Sequence, residues 1–139
     1  MATTAKTFEF DISVDTDRAA RSSLGGNALV LEPEWWAEHL LLTALVRCTL
    51  ASLDHHARRA ELGVSASGSA HGLVTKRDEG GPYALVDVDV RLEADLTPAP
   101  APEALRELLG RVERGCFVGN SLTAPPRYHW TVNGKDASV

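Results

Sequence analysis

One long apolar segment with helical periodicity constrains the fold more than any other feature of this sequence. Between Trp36 and Ala51, apolar residues recur every three or four positions, which places them on one face of a helix. Further leucine and valine residues widen that face, as in a helix at the centre of a core. Pro33 suits the first helical position because its missing N–H needs no partner there, and Gly63 suits the end. The sequence predicts a central helix that begins at Pro33.

Segments with strand periodicity lie on both sides of this helix. Residues 7–14 alternate polar and apolar side chains, and the turn signal Gly25-Gly26-Asn27, followed by an apolar run, predicts a hairpin or meander. After the helix, residues 64–76 predict a strand and residues 78–82 a turn. The clearest strand is residues 85–93, where valines alternate with charged residues, so that one face is buried and the other is wet.

A second helix and a short strand follow. Residues 97–102 alternate proline with alanine, a stiff connector that is too short to separate two domains. Residues 103–116 have the pattern of an amphipathic helix, and residues 128–132 that of a strand. The order of elements predicts one α+β domain over residues 1–139.

Charge and composition argue against several classes of function. The formal net charge of −5 and the lack of clustered Lys and Arg argue against nucleic-acid binding. The N-terminal residues have no apolar run of the length that a signal peptide or an anchor needs, and the apolar segment from Leu40 to Leu53 is too short and too polar to span a bilayer. We therefore expect a cytoplasmic protein that is not bound to a membrane.

The two cysteines are the main candidates for chemistry. Cys48 lies on the apolar face of the central helix, and Cys116 ends the second helix. A structural disulfide is not expected in the cytoplasm, so both are either small buried side chains or reactive thiols. Composition alone favours burial. A reactive thiol needs a partner thiol and a nearby cation, and Arg47 points away from Cys48 because consecutive helix positions face different ways.

Three segments resemble the OsmC/Ohr family of organic hydroperoxide reductases. Residues 38–48, from Glu38 through an apolar run to Cys48, are similar to the family's helix that ends at the peroxidatic cysteine. Residues 116–122, which begin at Cys116, are similar to the motif around its second cysteine. Arg18 and Arg21 precede a glycine turn, where the family carries an essential arginine in its N-terminal β-region.

The resemblance implies a fold and a role for each of these residues. The fold is OsmC-like: antiparallel sheet regions are packed around the long helix carrying Cys48, the second helix ends near Cys116, and two chains form an intertwined homodimer. Cys48 attacks the peroxide and becomes a sulfenic acid, Cys116 resolves it as a disulfide, and a lipoyl-type or other dithiol reduces that disulfide. Arg18, or alternatively Arg21, activates Cys48.

The sequence departs from the family pattern at three places. Phe117 stands where proline is usual, Gly119 stands where serine is usual, and the proline that normally adjoins the glutamate is displaced to Pro33. The displaced proline makes Glu34 a competitor of Glu38 as the residue that orients the arginine through a bidentate ion pair. The departures bear on the detailed activity more than on the fold.

The function implied is a thiol peroxidase for alkyl or lipid hydroperoxides with no metal and no organic cofactor. Asp54, His55 and His56 make a poor metal chelate because adjacent helix positions point apart. The alternative is a non-catalytic OsmC-like protein that binds an apolar ligand or a partner. The sequence identifies neither the physiological hydroperoxide nor the reductant.

The spacing of Glu38 and Cys48 has a geometric consequence. Ten residues of one helix separate them by roughly 15 Å along its axis. An arginine beside Cys48 cannot easily also bind a glutamate that far away on the same helix. Either the helix breaks between them, or Glu38 serves the cysteine of a second subunit.

Overall fold

The computed structural model describes residues 5–138 and divides the chain into two compact units, one ending at Trp36 and one beginning at Ala37. The chain contains both α-helices and β-strands, which confirms the predicted α+β class. In chain order the elements are β1 (Ile12–Val14), β2 (Ala19–Ser22), β3 (Leu29–Val30), α1 (Ala37–Arg59), β4 (Gly63–Lys76), β5 (Tyr83–Thr97), α2 (Pro102–Arg114), α3 (Phe117–Ser121), β6 (Arg127–Val132) and β7 (Lys135–Asp136). The prediction of one domain over residues 1–139 stays a prediction.

The N-terminal unit is an antiparallel meander in the order β1-β2-β3. The first strand begins at Ile12 rather than at residue 7, because its partner β2 ends at Ser22 and turns away. The last bond between these two segments runs from the Ser23 N–H to the Asp11 carbonyl. Over residues 5–36, none of the side chains is buried.

The C-terminal unit contains a four-stranded sheet in the order β4-β5-β6-β7. Strands β4 and β5 form a long antiparallel hairpin that pairs Gly63 with Thr97 and Lys76 with Tyr83. Strand β6 runs parallel to β5, because α2 and α3 carry the chain back across the sheet before β6 begins. Strand β7 then returns antiparallel to β6.

The core lies between this sheet and the helices α1 and α2. Alternate residues of β5 are buried, which confirms the predicted alternation of that strand. They pack with buried residues of both helices and with Trp130 of β6. The set is Val88, Val90, Leu92, Ala94 and Leu96 of β5, Leu45 and Leu53 of α1, and Leu108, Leu109 and Val112 of α2.

The central helix is unbroken, but both of its predicted ends were wrong. It begins at Ala37, because residues 33 and 34 form a turn that the Trp35 N–H closes on the Glu32 carbonyl at 2.9 Å. It ends at Arg59, where Glu61 takes a left-handed φ of 60° and the Leu62 N–H caps the Ala57 carbonyl at 2.9 Å. Gly63 is therefore the first residue of β4.

Candidate active site

Cys116 is completely buried between α1 and the short helix α3. Its sulfur lies 3.4 Å from the Thr49 hydroxyl and 4.0 Å from the Leu45 carbonyl, both of which belong to α1. Cys116 is also the N-cap residue of α3, and its sulfur accepts the Gly119 N–H at 3.4 Å. These contacts hold the thiol in one position against the central helix.

Cys48 belongs to α1, one residue before Thr49, and is half-buried. Burial raises the pKa of the Cys48 thiol above its ordinary value, and the backbone N–H of Val118 opposes that rise. The neighbouring Cys116 raises the pKa further, and the Phe117 N–H lowers it. Cys116 thus lies against the part of α1 that carries Cys48, since its sulfur contacts Leu45 and Thr49.

None of the main influences on the pKa of the Cys48 thiol is a cationic side chain. Only the thiolate attacks a peroxide, and a raised pKa keeps the thiol protonated at neutral pH. A reactive Cys48 therefore needs a nearby positive charge.

Phe117 is the first residue of α3, the position in a helix where proline is most favourable. A proline there has no N–H. The Phe117 N–H lowers the pKa of Cys48, so the departure from the family's usual proline supplies one backbone donor toward the candidate attacking sulfur.

Gly119 makes room for Tyr128, which no sequence pattern singles out. A Cβ placed on Gly119 would lie 2.5 Å from the Tyr128 hydroxyl and 3.3 Å from the Cys116 sulfur. Serine at this position would therefore push the Tyr128 hydroxyl away from Cys116. Thr49 and Tyr128 come close to Cys116 through the packing of α1, α3 and β6. Sequence periodicity does not reveal that packing, so neither residue was predicted as part of the site.

The candidate arginines both lie in the N-terminal unit. Arg18 stands in the turn between β1 and β2 with a φ of 65°, a left-handed conformation that costs a residue with a side chain about 1–2 kcal/mol. Asp15 holds this turn, since its carboxylate accepts the N–H groups of Asp17 and Ala19 at 2.9 and 3.0 Å. Arg21 lies within β2, paired with Ser13.

The candidate glutamates lie on either side of the start of α1. Glu38 is in the first turn of that helix, and Glu34 is in the turn that precedes it. Both side chains are exposed. The continuous course of α1 from Ala37 to Arg59 removes the possibility that a break brings Glu38 close to Cys48.

Within residues 5–138, no group of three or more His, Cys, Asp or Glu side chains is placed to hold a metal ion. No helix in that range has the length and apolar character to cross a membrane. A polar depression of about 300 Å³, lined mainly by β4, β5 and β6, contains neither cysteine.

The sequence model of the family described as OsmC-like protein matches residues 34–131, which is more than half of the chain. This match includes both cysteines and both candidate glutamates. The chain belongs to the OsmC-like protein family. No curated protein shows significant sequence similarity to it.

Solved structures of other OsmC-like proteins share the fold. An OsmC-like protein of unknown function from Vibrio cholerae superposes with a TM-score of 0.70 at 15% identity, covering 91% of this chain and 99% of the other. The OsmC-like protein from Mycoplasma pneumoniae gives 0.67 at 18% identity, with 94% and 98% covered. The organic hydroperoxide resistance protein OhrB of Bacillus subtilis gives 0.55 at 13% identity, with 92% and 98% covered.

In this OsmC-like chain the predicted site residues fall into two sets. Cys48 and Cys116 both lie in the C-terminal unit, where the Cys116 sulfur contacts Thr49, the residue after Cys48, and borders the same space as the Tyr128 hydroxyl. Arg18 lies in the N-terminal unit, and Glu38 lies in the first turn of α1, ten residues before Cys48.

Proposed function

We propose that this OsmC-like protein is a thiol peroxidase that reduces organic hydroperoxides, with Cys48 as the attacking thiol and Cys116 as the resolving thiol. The observation that carries the proposal is the position of the buried Cys116 sulfur against Leu45 and Thr49, which place it next to the part of α1 that carries Cys48. Membership of the OsmC-like family, and the fold shared with organic hydroperoxide resistance proteins such as OhrB of Bacillus subtilis, support the proposal.

The difference in burial of the two thiols matches their proposed roles. Cys48 is half-buried and is reached from solvent, whereas Cys116 is fully buried beside it. The Cys48 thiolate attacks the O–O bond, takes one oxygen as a sulfenic acid and releases the alcohol. Cys116 then displaces hydroxide, which leaves as water, and forms the Cys48–Cys116 disulfide. A dithiol of the lipoyl type reduces that disulfide by exchange.

Arg18 is proposed to supply the positive charge that the Cys48 thiolate needs. Its left-handed backbone supports the choice of Arg18 over Arg21, because strained backbone conformations are enriched at functional sites. Arg21 occupies an ordinary strand position in β2.

A twofold homodimer is proposed to complete the site, with Glu38 acting on the site of the second subunit. The unbroken helix keeps Glu38 roughly 15 Å from Cys48 of its own chain. The N-terminal unit also exposes apolar side chains that a second copy would cover, among them Phe10 and Ile12.

The assignment of roles is tested by turnover of cumene hydroperoxide with a dithiol reductant. Cys48→Ser should abolish turnover while preserving the fold, because serine and cysteine are similar in size. Cys116→Ser should still allow one oxidation of Cys48, and mass spectrometry should find the sulfenic acid or its over-oxidised products. Appreciable turnover by Cys48→Ser, or oxidation of Cys116 before Cys48 in the wild type, contradicts the assignment.

The action of Glu38 across the dimer is tested by mixing two inactive variants. Cys48→Ser and Glu38→Gln are refolded together, so that each hybrid dimer contains one site built only from wild-type residues if Glu38 acts on the partner. Activity should then return. No recovery in confirmed hybrids refutes the assignment. Glu34→Gln is the matched control and should retain activity without mixing.

The alternative function, a non-catalytic protein that binds an apolar ligand or partner, is favoured by one observation. Burial raises the pKa of the Cys48 thiol, and none of the main influences that oppose this rise is a cationic side chain. A binding protein keeps both thiols when an alkyl hydroperoxide is added, whereas a peroxidase loses both.

A further inference from the structure

The polar groups around Cys116 differ in whether they can donate a hydrogen bond to a thiolate. As long as Thr49 donates its single hydroxyl hydrogen to the Leu45 carbonyl at 2.9 Å, its oxygen accepts from Cys116 at 3.4 Å, and it becomes a donor to the sulfur only by giving up that bond. The Leu45 carbonyl only accepts. Both groups suit Cys116 as a protonated thiol. Among these three partners, only the Gly119 N–H donates to the sulfur.

Tyr128 of β6 brings a second hydroxyl to the same place. The tyrosine is half-buried, and its hydroxyl and the Cys116 sulfur both border the space that Gly119 leaves open, at 2.5 and 3.3 Å from a Cβ placed there. Burial raises the pKa of Tyr128, and its interactions with the charge and the sulfur of Cys116 raise it further, while Thr49 opposes the rise. The phenol therefore keeps its proton at neutral pH and is able to donate it in a hydrogen bond.

When Cys116 attacks Cys48, negative charge must develop on a fully buried sulfur. A buried thiolate is costly unless hydrogen bonds stabilise it. Thr49 would have to give up its bond to Leu45 in order to help, whereas Tyr128 has a hydroxyl hydrogen that no backbone carbonyl binds in the described hydrogen bonds.

We propose that the Tyr128 hydroxyl donates a hydrogen bond to the Cys116 sulfur and thereby promotes attack by the Cys116 thiolate on oxidised Cys48. This inference rests on the proposed function and extends it to the resolving step. In that step the Cys116 sulfur forms the S–S bond, the Cys48 S–O bond breaks, and the hydroxide released takes the proton that Cys116 gave up and leaves as water. Gly119 is required because any side chain there displaces the tyrosine hydroxyl.

The same attack can be observed without any peroxide. 5,5′-Dithiobis(2-nitrobenzoate) reacts first at the more accessible Cys48, releasing one thionitrobenzoate and leaving the second bound as a mixed disulfide. Cys116 then displaces that second thionitrobenzoate, whose colour reports the rate. Cys48→Ser should show no fast release, which would establish that the second release is intramolecular.

Tyr128→Phe should slow the second release by about tenfold, as expected for the loss of a hydrogen bond to a charged group, and leave the first release unchanged. The rate of the second release from Tyr128→Phe should also reach half of its maximum at a higher pH than in the wild type. Tyr83→Phe is the matched control, because Tyr83 is 71% exposed and its ring lies beside Lys76. It should leave both phases and the pH profile unchanged.

Gly119→Ala provides a second variant that keeps the phenol but displaces it, and it should slow the second release in the same way. The inference is overturned if the folded Tyr128→Phe or Gly119→Ala protein releases the second thionitrobenzoate at the wild-type rate with the same pH profile. Because this assay uses no hydroperoxide, a wild type that fails to reduce cumene hydroperoxide refutes the proposed function without affecting this readout.

Discussion

The two compact units contain similar apolar residues but bury them very differently. In residues 37–138 the apolar side chains of β5, α1 and α2 form a core in which many residues are fully buried. In residues 5–36 no residue is buried, and Phe10, Ile12 and Val30 are 76%, 72% and 65% exposed. A three-stranded sheet with short strands and no core is marginal by itself. The C-terminal unit therefore has a core of its own, which includes Cys116, whereas the N-terminal unit needs a covering surface, which we propose is a second copy of the chain.

The largest expected effect contrasts two leucines, one from each unit. Leu53→Ala should lower the free energy of unfolding by about 2–5 kcal/mol, because Leu53 is completely buried and its removal leaves a cavity. Leu29→Ala removes the same atoms from a side chain that is 58% exposed, and its main effect should be weaker self-association. Urea denaturation at two protein concentrations measures the free energy of unfolding, and sedimentation equilibrium measures self-association. An equal, concentration-independent loss for Leu29→Ala would show that the N-terminal unit has a core of its own.

The second prediction concerns Arg18, the proposed source of positive charge for Cys48. Arg18→Ala should raise the pKa of Cys48, so the thiolate is present only at higher pH and alkylation at pH 7 slows by about tenfold or more. The measurement is the rate of iodoacetamide reaction against pH in a Cys116→Ser background. Arg21→Ala is the control and should follow the parent profile. Unchanged profiles in both variants would leave Cys48 without its proposed activator.

A smaller effect is expected from the backbone donor within the C-terminal unit. Phe117→Pro removes an N–H that lowers the pKa of Cys48, so the pKa should rise and alkylation at pH 7 should slow by about two- to threefold. Phe117→Leu keeps the N–H and serves as the control. If the proline and leucine variants react alike, the Phe117 N–H does not act on the Cys48 sulfur.

The smallest effect concerns the backbone of the N-terminal unit. Arg18→Gly should be more stable than Arg18→Ala by about 1 kcal/mol, since only glycine adopts the left-handed conformation of residue 18 without strain. Both variants should lose hydroperoxide turnover equally, because both lack the guanidinium. Denaturant unfolding provides the stability difference. A glycine variant less stable than the alanine variant would contradict the strained turn.

Sequence reasoning succeeded where the pattern is local. The alternation of valines with charged residues in β5 predicted its buried face, since a strand has a period of two. The helical spacing around Cys48 predicted α1, but its ends depended on the turn at Glu32–Trp35 and on the left-handed Glu61, neither of which has a strong sequence signal. The five-residue helix α3 is too short for periodicity to reveal.

The candidate site was predictable only in part. The resemblance identified both cysteines, and the structure places Cys116 against the part of α1 that carries Cys48. It did not identify Thr49 or Tyr128, because their approach to Cys116 depends on packing between elements far apart in sequence, including the parallel pairing of β5 with β6. The two departures that stood out in the sequence, Phe117 and Gly119, each have a physical consequence beside a thiol.

The central claim is that Cys48 and Cys116 act as one redox pair. The most direct test counts free thiols in the denatured protein after one equivalent of cumene hydroperoxide is added to the reduced wild type, with mass spectrometry of the digest to locate any disulfide. We predict that both thiols are lost together and that a single pair of peptides, linked through Cys48 and Cys116, appears. Retention of both thiols, or loss of Cys48 alone with no linked peptides, would contradict it.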